Sequence, residues 1–347
     1  MDCIERIAGC LLGGAVGDAL GAPVEFMSLS EIRAKFGNEG IEHYALAYGR
    51  IGAITDDTQM TLFTLEGMLK AYIQGDTTSL TESVRIAYLR WLGTQGIRSK
   101  SESLSSIYGG WLWSQKLLHS RRAPGNSCLS SLQMHLSCLE SNHSEIPSDP
   151  INNSKGCGGV MRMAPVGFFD LDCFKTGCEL AMLTHGHPSG YLASGFLAQL
   201  IHELIQGISL SSAIESTREL LLQWPSHQEV LQAVDQALDY AKSDVPTPET
   251  LEKLGEGWVA EEALALSLFC ALKAKNFAHG VRLAVNHSGD SDSTGAITGN
   301  ILGTLWGQQS IPDEYLQDLE LRSVIEQMVR HVVDLDYDDC RDRYSGL

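Results

Sequence analysis

The chain has 347 residues, 44% of them hydrophobic, with 43 acidic against 25 basic side chains, a net charge of -18 and a pI near 4.9. That is enough apolar material for one large domain or two small ones. So acidic a balance argues against nucleic acid and against an anionic membrane as main partners, because both need clustered Lys and Arg.

No apolar run approaches the roughly 18 residues that a membrane span requires. The start, Met1-Asp2-Cys3-Ile4-Glu5-Arg6, has neither the basic region nor the cleavage pattern of a signal peptide, so a cytoplasmic location is expected. Nine cysteines are scattered without a Cys-x-x-Cys pair and read as reduced, mostly buried small hydrophobes.

Residues 5–21 carry Ile7, Cys10, Leu11, Val16 and Leu20 at helical spacing, interrupted by Gly9, Gly13, Gly14, Gly17 and Gly21. Each glycine costs a helix up to about 1 kcal/mol, so this density predicts a helix pressed closely against another. Asp18 lies within it, either as a capping group or as part of a site. Glu25, after Pro23, falls in a loop and reads as functional.

Thr55-Asp56-Asp57-Thr58 comes next, ahead of a helical run from Thr58 to Ile73. Four oxygen-bearing side chains in a row at a helix start are either an N-cap with an acidic first turn or half of a cation site. A further helix is predicted over 80–92. Beyond it, 93–157 is richer in Gly, Ser, Asn and Pro, with a helix around 127–139 and a long polar connection from Glu140 to Lys155.

That connection delivers Ser154-Lys155-Gly156-Cys157-Gly158-Gly159-Val160-Met161-Arg162, whose glycines leave N–H groups accessible ahead of a helical segment. The stretch reads as a phosphate cradle or as a tight turn. Thr184-His185-Gly186-His187 lacks the partners of a zinc site, and His185 reads instead as a ligand-contacting group.

Helical spacing continues over 191–205, 211–223 and 228–242, then after Gly257-Trp258-Val259-Ala260-Glu261-Glu262, and over 277–286. There follows Gly289-Asp290-Ser291-Asp292-Ser293-Thr294-Gly295, a second set of carboxylates and hydroxyls ahead of an apolar run. Two such clusters face to face could hold one or two hard divalent ions. No stretch shows convincing strand alternation. The expectation is a single all-α domain with its site built from helix ends at one pole.

Taken together, Gly17 through Phe26, Thr55 through Thr58, Lys155 through Arg162, Thr184-His185, Gly255 through Trp258 and Gly289 through Gly295 make the chain similar to the ADP-ribosylglycohydrolase family. The likeness runs from residue 6 to about 307.

This resemblance implies an all-α fold with a binuclear Mg²⁺ or Mn²⁺ centre that releases ADP-ribose from modified protein side chains. It assigns Thr55, Asp56, Asp57, Asp290, Asp292 and Ser293 as metal ligands. Many members carry Thr where Ser293 stands, and Thr294 is adjacent. It places Glu25 close to the metals, Asp18 in support of that loop, Gly156, Cys157, Gly158 and Gly159 around the diphosphate, His185 on the ADP-ribose, and Gly257 and Trp258 near the adenosine end. Either Asp290 or Glu25 would serve as general base.

Arginine-linked ADP-ribose is the first expectation for the substrate, with serine-linked or O-acetyl-ADP-ribose as alternatives. A protein of another class on the same scaffold would bind ADP-ribose, or neutralise an ADP-ribosylating toxin partner by occlusion without turnover. A third reading is hydrolysis of a different phosphorylated or nucleotide substrate by the same metals.

Overall fold

The computed structural model describes residues 1–75, 77–141, 151–243, 245–335, 340 and 343–344. Most of the polar connection 140–155 therefore lies outside the described residues. In chain order the helices are α1 Cys3–Gly21, α2 Leu29–Phe36, α3 Asp56–Ile73, α4 Leu80–Thr94, α5 Trp111–Ser114, α6 Asn126–Glu140, α7 Cys173–Met182 and α8 Pro188–Ile205. They continue as α9 Leu210–Leu221, α10 Gln228–Ser243, α11 Pro248–Leu251, α12 Ala260–Lys273, α13 Phe277–Val285, α14 Ser291–Trp306, α15 Asp313–Gln317 and α16 Arg322–Val333. Among the described residues there is no strand, only the isolated bridges Ala47–Arg50 and Gly156–Val259.

One contiguous apolar core takes in residues from Ile7 to Tyr344. At its centre α1 and α14 run against each other along a seam of glycines. A Cβ on Gly9, Gly13 or Gly17 would overlap the carbonyl oxygen of Gly303, Gly299 or Gly295, and Gly21 meets the backbone of Ser291 and Asp292 in the same way. This is the close approach that the glycine spacing predicts, and it brings the end of α1 against the start of α14. α1 and α14 also touch α3, and α14 packs on α12 and α13, while α7 and α8 form a neighbouring pair. No helix of the described residues is long and apolar enough to cross a membrane.

Two starts carry the acidic clusters. Thr55 caps α3 and its hydroxyl oxygen accepts from Asp57 N at 3.3 Å. Asp290 caps α14 and accepts from Ser293 N at 3.4 Å.

The helical segment expected after Gly159 takes the form of two short 3-10 turns, Val160–Arg162 and Ala164–Phe168. Pro165 lacks an N–H and cannot continue an α-helical ladder, so this segment itself sets no long helix behind Gly159.

Candidate active site

The two acidic clusters meet. Glu25, Asp290 and Asp292 are buried and each offers a carboxylate oxygen within 4.8 Å of the others. With Asp56, Asp57 and Ser293 they line one side of a cavity of about 230 Å³. Gly156, Cys157, Gly158, Met161, His185 and Trp258 line the rest, joined by Ala123, Gly125 and the first residues of α6, Asn126 to Cys128.

Each carboxylate has a structural reason to be there. Glu25 sits in the turn that leaves α1, where Val24 N donates to Gly21 O at 2.8 Å. Asp56 and Asp57 ride the first turn of α3, which is fastened by Asp18. Asp18 is fully buried, and its carboxylate accepts Thr55 N at 3.0 Å from each oxygen, Thr55 Oγ1 at 2.8 Å, Thr58 N at 3.1 Å and the Thr58 hydroxyl. Asp18 therefore supports the start of α3, not the loop of Glu25, and it does not line the cavity. Thr55 is likewise fully buried behind the cavity surface.

At the other cluster the two adjacent hydroxyls part company. Thr294 Oγ1 turns into the core, 2.9 Å from each of Ala284 O, Asp290 O and His287 Nε2. Ser293 Oγ lies on the cavity side, 3.7 Å from Cys157 Sγ. Asp290 Oδ2 accepts the Cys157 thiol at 2.7 Å, and Asp290 N donates to Glu256 O at 2.8 Å.

The segment 255–260 buttresses both walls. Cys157 N donates to Trp258 O at 3.1 Å and Ala260 N to Lys155 O at 2.8 Å, while Glu262 Oε2 accepts Glu256 N and Gly257 N. Gly257, at φ +83°, packs against Asp290 Cβ and Thr294 under the start of α14 and stays off the cavity surface. The N–H groups of Gly156 and Cys157 are used internally, by Ser154 Oγ and Trp258 O. Among the described residues those of Gly158 and Gly159 meet no protein acceptor. Gly159 packs on Ser194 and Ala181, so Gly156 to Gly158 form the wall.

His185 stands beside Gly156 and Gly158, with Nδ1 held by Thr184 Oγ1 at 2.8 Å; Arg162 donates to the same hydroxyl at 2.6 Å. Burial, and then Arg162, push the imidazole down to about 3, so it is neutral at physiological pH. His187 points elsewhere: its Nδ1 accepts Ser189 N and caps α8. The two histidines form no metal site.

Burial and mutual repulsion act together on the acids. Glu25 is pushed up to about 11 by burial and then by Asp292, Asp290 and Asp56. Asp56 and Asp57 are held well above the carboxylate range by burial and then Asp292, as is Asp290. Such a cluster either takes up protons or shares cations. Two buried oxygens, Asp57 Oδ1 and Glu25 Oε2, have no hydrogen-bond partner. A set of carboxylates and a hydroxyl with orphaned oxygens has the chemistry that Mg²⁺ or Mn²⁺ selects, and it fits such ions.

Sequence reasoning missed the α6 start as part of this wall. Gly125 N donates to Asp56 Oδ2 at 3.4 Å and Ser127 Oγ lies 2.8 Å from Ser154 Oγ. Pro124-Gly125-Asn126-Ser127 was the available signal, a third polar helix start resembling the other two.

Fold and site together define an all-helical protein with a carboxylate-walled cleft where helix starts converge. The family model described as ADP-ribosylglycohydrolase matches residues 1–342, and the chain belongs to that family. An ADP-ribosyl-[dinitrogen reductase] glycohydrolase of Rhodospirillum rubrum is 27% identical, covering 95% of each chain. ADP-ribosylarginine hydrolase Tri1 of Serratia proteamaculans is 24% identical over 95% of this chain and 80% of its own. A solved structure titled ADP-ribosylglycohydrolase-related protein complex superposes with a TM-score of 0.70 at 22% identity, covering 97% of this chain and 99% of the other, which shows the shared fold.

Proposed function

We propose that this protein is a metal-dependent hydrolase that releases ADP-ribose from modified protein side chains, with ADP-ribosyl-arginine as its substrate. The observation that carries the reading is the convergence of Glu25, Asp290 and Asp292, with Asp57 beside them, on one buried cleft walled by Gly156–Gly158. Arginine is favoured because the two named bacterial relatives are a dinitrogen-reductase glycohydrolase and an ADP-ribosylarginine hydrolase.

Asp56, Asp57, Asp290, Asp292 and Ser293 would hold Mg²⁺ or Mn²⁺, with Thr55 behind them. Divalent ions there supply charge to polarise ribose hydroxyls and to acidify a water. The remaining work falls to the chain's own groups. Gly158 N–H is free to donate to a phosphate oxygen, and the neutral imidazole of His185 contacts the ligand without adding charge.

Glu25 is the proton-transfer group of this proposal. Its Oε2 has no hydrogen bond, whereas Asp290 is engaged as the cap of α14 and by the Cys157 thiol. Cleavage at the anomeric carbon builds oxocarbenium character, which the surrounding carboxylates stabilise; Glu25, ionised once cations share the cluster's charge, takes the proton of the attacking water as its oxygen bonds to that carbon, and passes the proton to the guanidine nitrogen that leaves.

The test is release of ADP-ribose from ADP-ribosyl-arginine, ADP-ribosyl-serine and O-acetyl-ADP-ribose with Mg²⁺ or Mn²⁺. Turnover of the arginine substrate, lost by 10²–10⁴-fold in Glu25→Gln, is expected. No release from any of the three overturns the reading. Toxin neutralisation unimpaired in Asp57→Asn and Asp290→Asn would replace it with occlusion.

A further inference from the structure

Residues 44–52 lead into the start of α3 through a tight two-residue turn. Ala47 and Arg50 exchange both backbone hydrogen bonds at 3.0 Å, and the two residues between them have φ of +48° for Tyr48 and +82° for Gly49. Positive φ at both central positions is the pattern of a type I′ turn, which Gly adopts freely. A tyrosine there is strained and persists only when its surroundings over-determine it.

They do so here. Glu320, fully buried, pairs with Arg50 at 2.8 Å, pairs with Arg122, accepts Ile54 N at 3.1 Å and donates its own N–H to Gly52 O at 3.0 Å. The Arg122 guanidinium lies under the Tyr48 ring, 5.8 Å from its centroid.

What this clamp displays is apolar. Leu46 is 67% exposed, Tyr48 42% and Ile51 44%, three large side chains within six residues. The turn stands at one edge of the site. Arg122 O accepts Asp56 N at 3.3 Å, and the cavity wall begins at Ala123. Burial, and then the charges of Glu25, Asp292, Asp18 and Asp56, push the Tyr48 phenol up. Yet neither Leu46, Tyr48 nor Ile51 lines the cavity itself.

We propose that turn 46–51 is a docking edge for the polypeptide that carries the modified side chain, with Tyr48 as its anchor. The proposal rests on the reading under Proposed function. A substrate whose ADP-ribose fills the cavity and whose scissile bond lies at the carboxylates must pass its protein out over an edge of the cleft. This edge offers two aliphatic groups and a phenol held rigidly, the surface that polypeptide side chains bury against, and the two cations of its clamp, Arg50 and Arg122, are already paired with Glu320.

The experiment uses Tyr48→Gly and Leu46→Ser in the full chain. kcat/KM is measured on free ADP-ribosyl-arginine and on an ADP-ribosylated polypeptide, with equilibrium binding of the fluorescently labelled polypeptide alongside. Expected in both variants is a roughly tenfold loss on the polypeptide, through KM and Kd, with turnover of the free amino-acid conjugate held. Tyr48→Gly should also unfold at an equal or higher temperature, since glycine relieves the turn.

Equal losses on both substrates would put Tyr48 in the reaction site and overturn the proposal, as would no loss on either. Dimeric wild-type protein that Tyr48→Gly renders monomeric would reassign the edge to self-association. Wild-type protein inactive on both substrates would sink the hydrolase reading. Polypeptide binding then decides the docking edge on its own, and undiminished affinity in Tyr48→Gly overturns it.

Discussion

Asp18 and Thr55 are joined three times over: Thr55 N donates to both carboxylate oxygens of Asp18 at 3.0 Å, and Thr55 Oγ1 to one of them at 2.8 Å. The pair fastens the first turn of α3 to the last turns of α1. Asp18→Asn replaces one acceptor oxygen with an amide that faces donors, leaving at least one buried group unpaired at a cost of about 1–3 kcal/mol. Urea unfolding should show that loss, and calorimetry should show weaker Mn²⁺ binding, because Asp56 and Asp57 ride the same turn. Unchanged metal affinity would mean that the turn holds its place without Asp18.

The glycine seam makes a second prediction. A Cβ on Gly17 would overlap the backbone of Gly295 and Ala296, neither of which is a flexible side-chain end. Gly17→Ala should destabilise the fold by about 1–3 kcal/mol. It should also lower metal affinity, since α1 seats the first turn of α14, which carries Asp292 and Ser293. Gly37→Ala serves as contrast for packing, as nothing lies within 4 Å of a Cβ there, although its φ of +95° adds strain of its own.

Asp57→Asn should separate stability from function. Asp57 is buried among like charges with Oδ1 unpartnered. Neutralising it relieves repulsion in the metal-free protein, with an expected gain of about 0.5–2 kcal/mol. Wild-type protein should gain about 2.7 kcal/mol from Mn²⁺ at a hundredfold excess over Kd. Thermal melts with and without Mn²⁺ should show that gain shrinking or vanishing in the variant.

His185 gives a pH signature. Its folded-state value is lowered from 6.5 to about 3, so the unfolded chain binds the proton first as pH falls. The stability that the neutral buried imidazole contributes is complete above 6.5 and is lost progressively between 6.5 and 3. The stability difference between wild type and His185→Gln should therefore shrink from pH 7 to pH 4.5. In the kcat/KM profile no limb between pH 5 and 8 should vanish in this variant.

Much of this architecture was legible in the sequence because it rests on local chemistry. Gly9, Gly13, Gly17 and Gly21 announce a close helix contact by their spacing, and the hydroxyl and carboxylate runs at Thr55 and Asp290 announce helix starts with charge to place. What stayed hidden depends on tertiary partners. That Thr294 turns inward while Ser293 faces the cavity follows from His287 and Ala284, which the run 289–295 does not contain. Gly159 and Gly257 are glycines for packing against Ser194, Thr294 and Asp290, and a glycine's sequence context does not distinguish that from ligand contact. Residues after 307 offered no site signal, yet Glu320 organises the approach to α3. Its partners Arg50 and Arg122 lie far away in the chain.

The α1–α14 seam also sets when the cleft can exist during synthesis. Asp57 leaves the ribosome well before Asp290 and the glycines that seat α14 on α1, which follow more than two hundred residues later. At roughly 5–20 residues per second the interval runs to tens of seconds. Throughout it, Gly9, Gly13 and Gly17 face no partner helix. The nascent chain therefore waits with half an acidic centre and an unmatched glycine groove. The complete carboxylate cleft forms only after α14 has been made and has closed on α1.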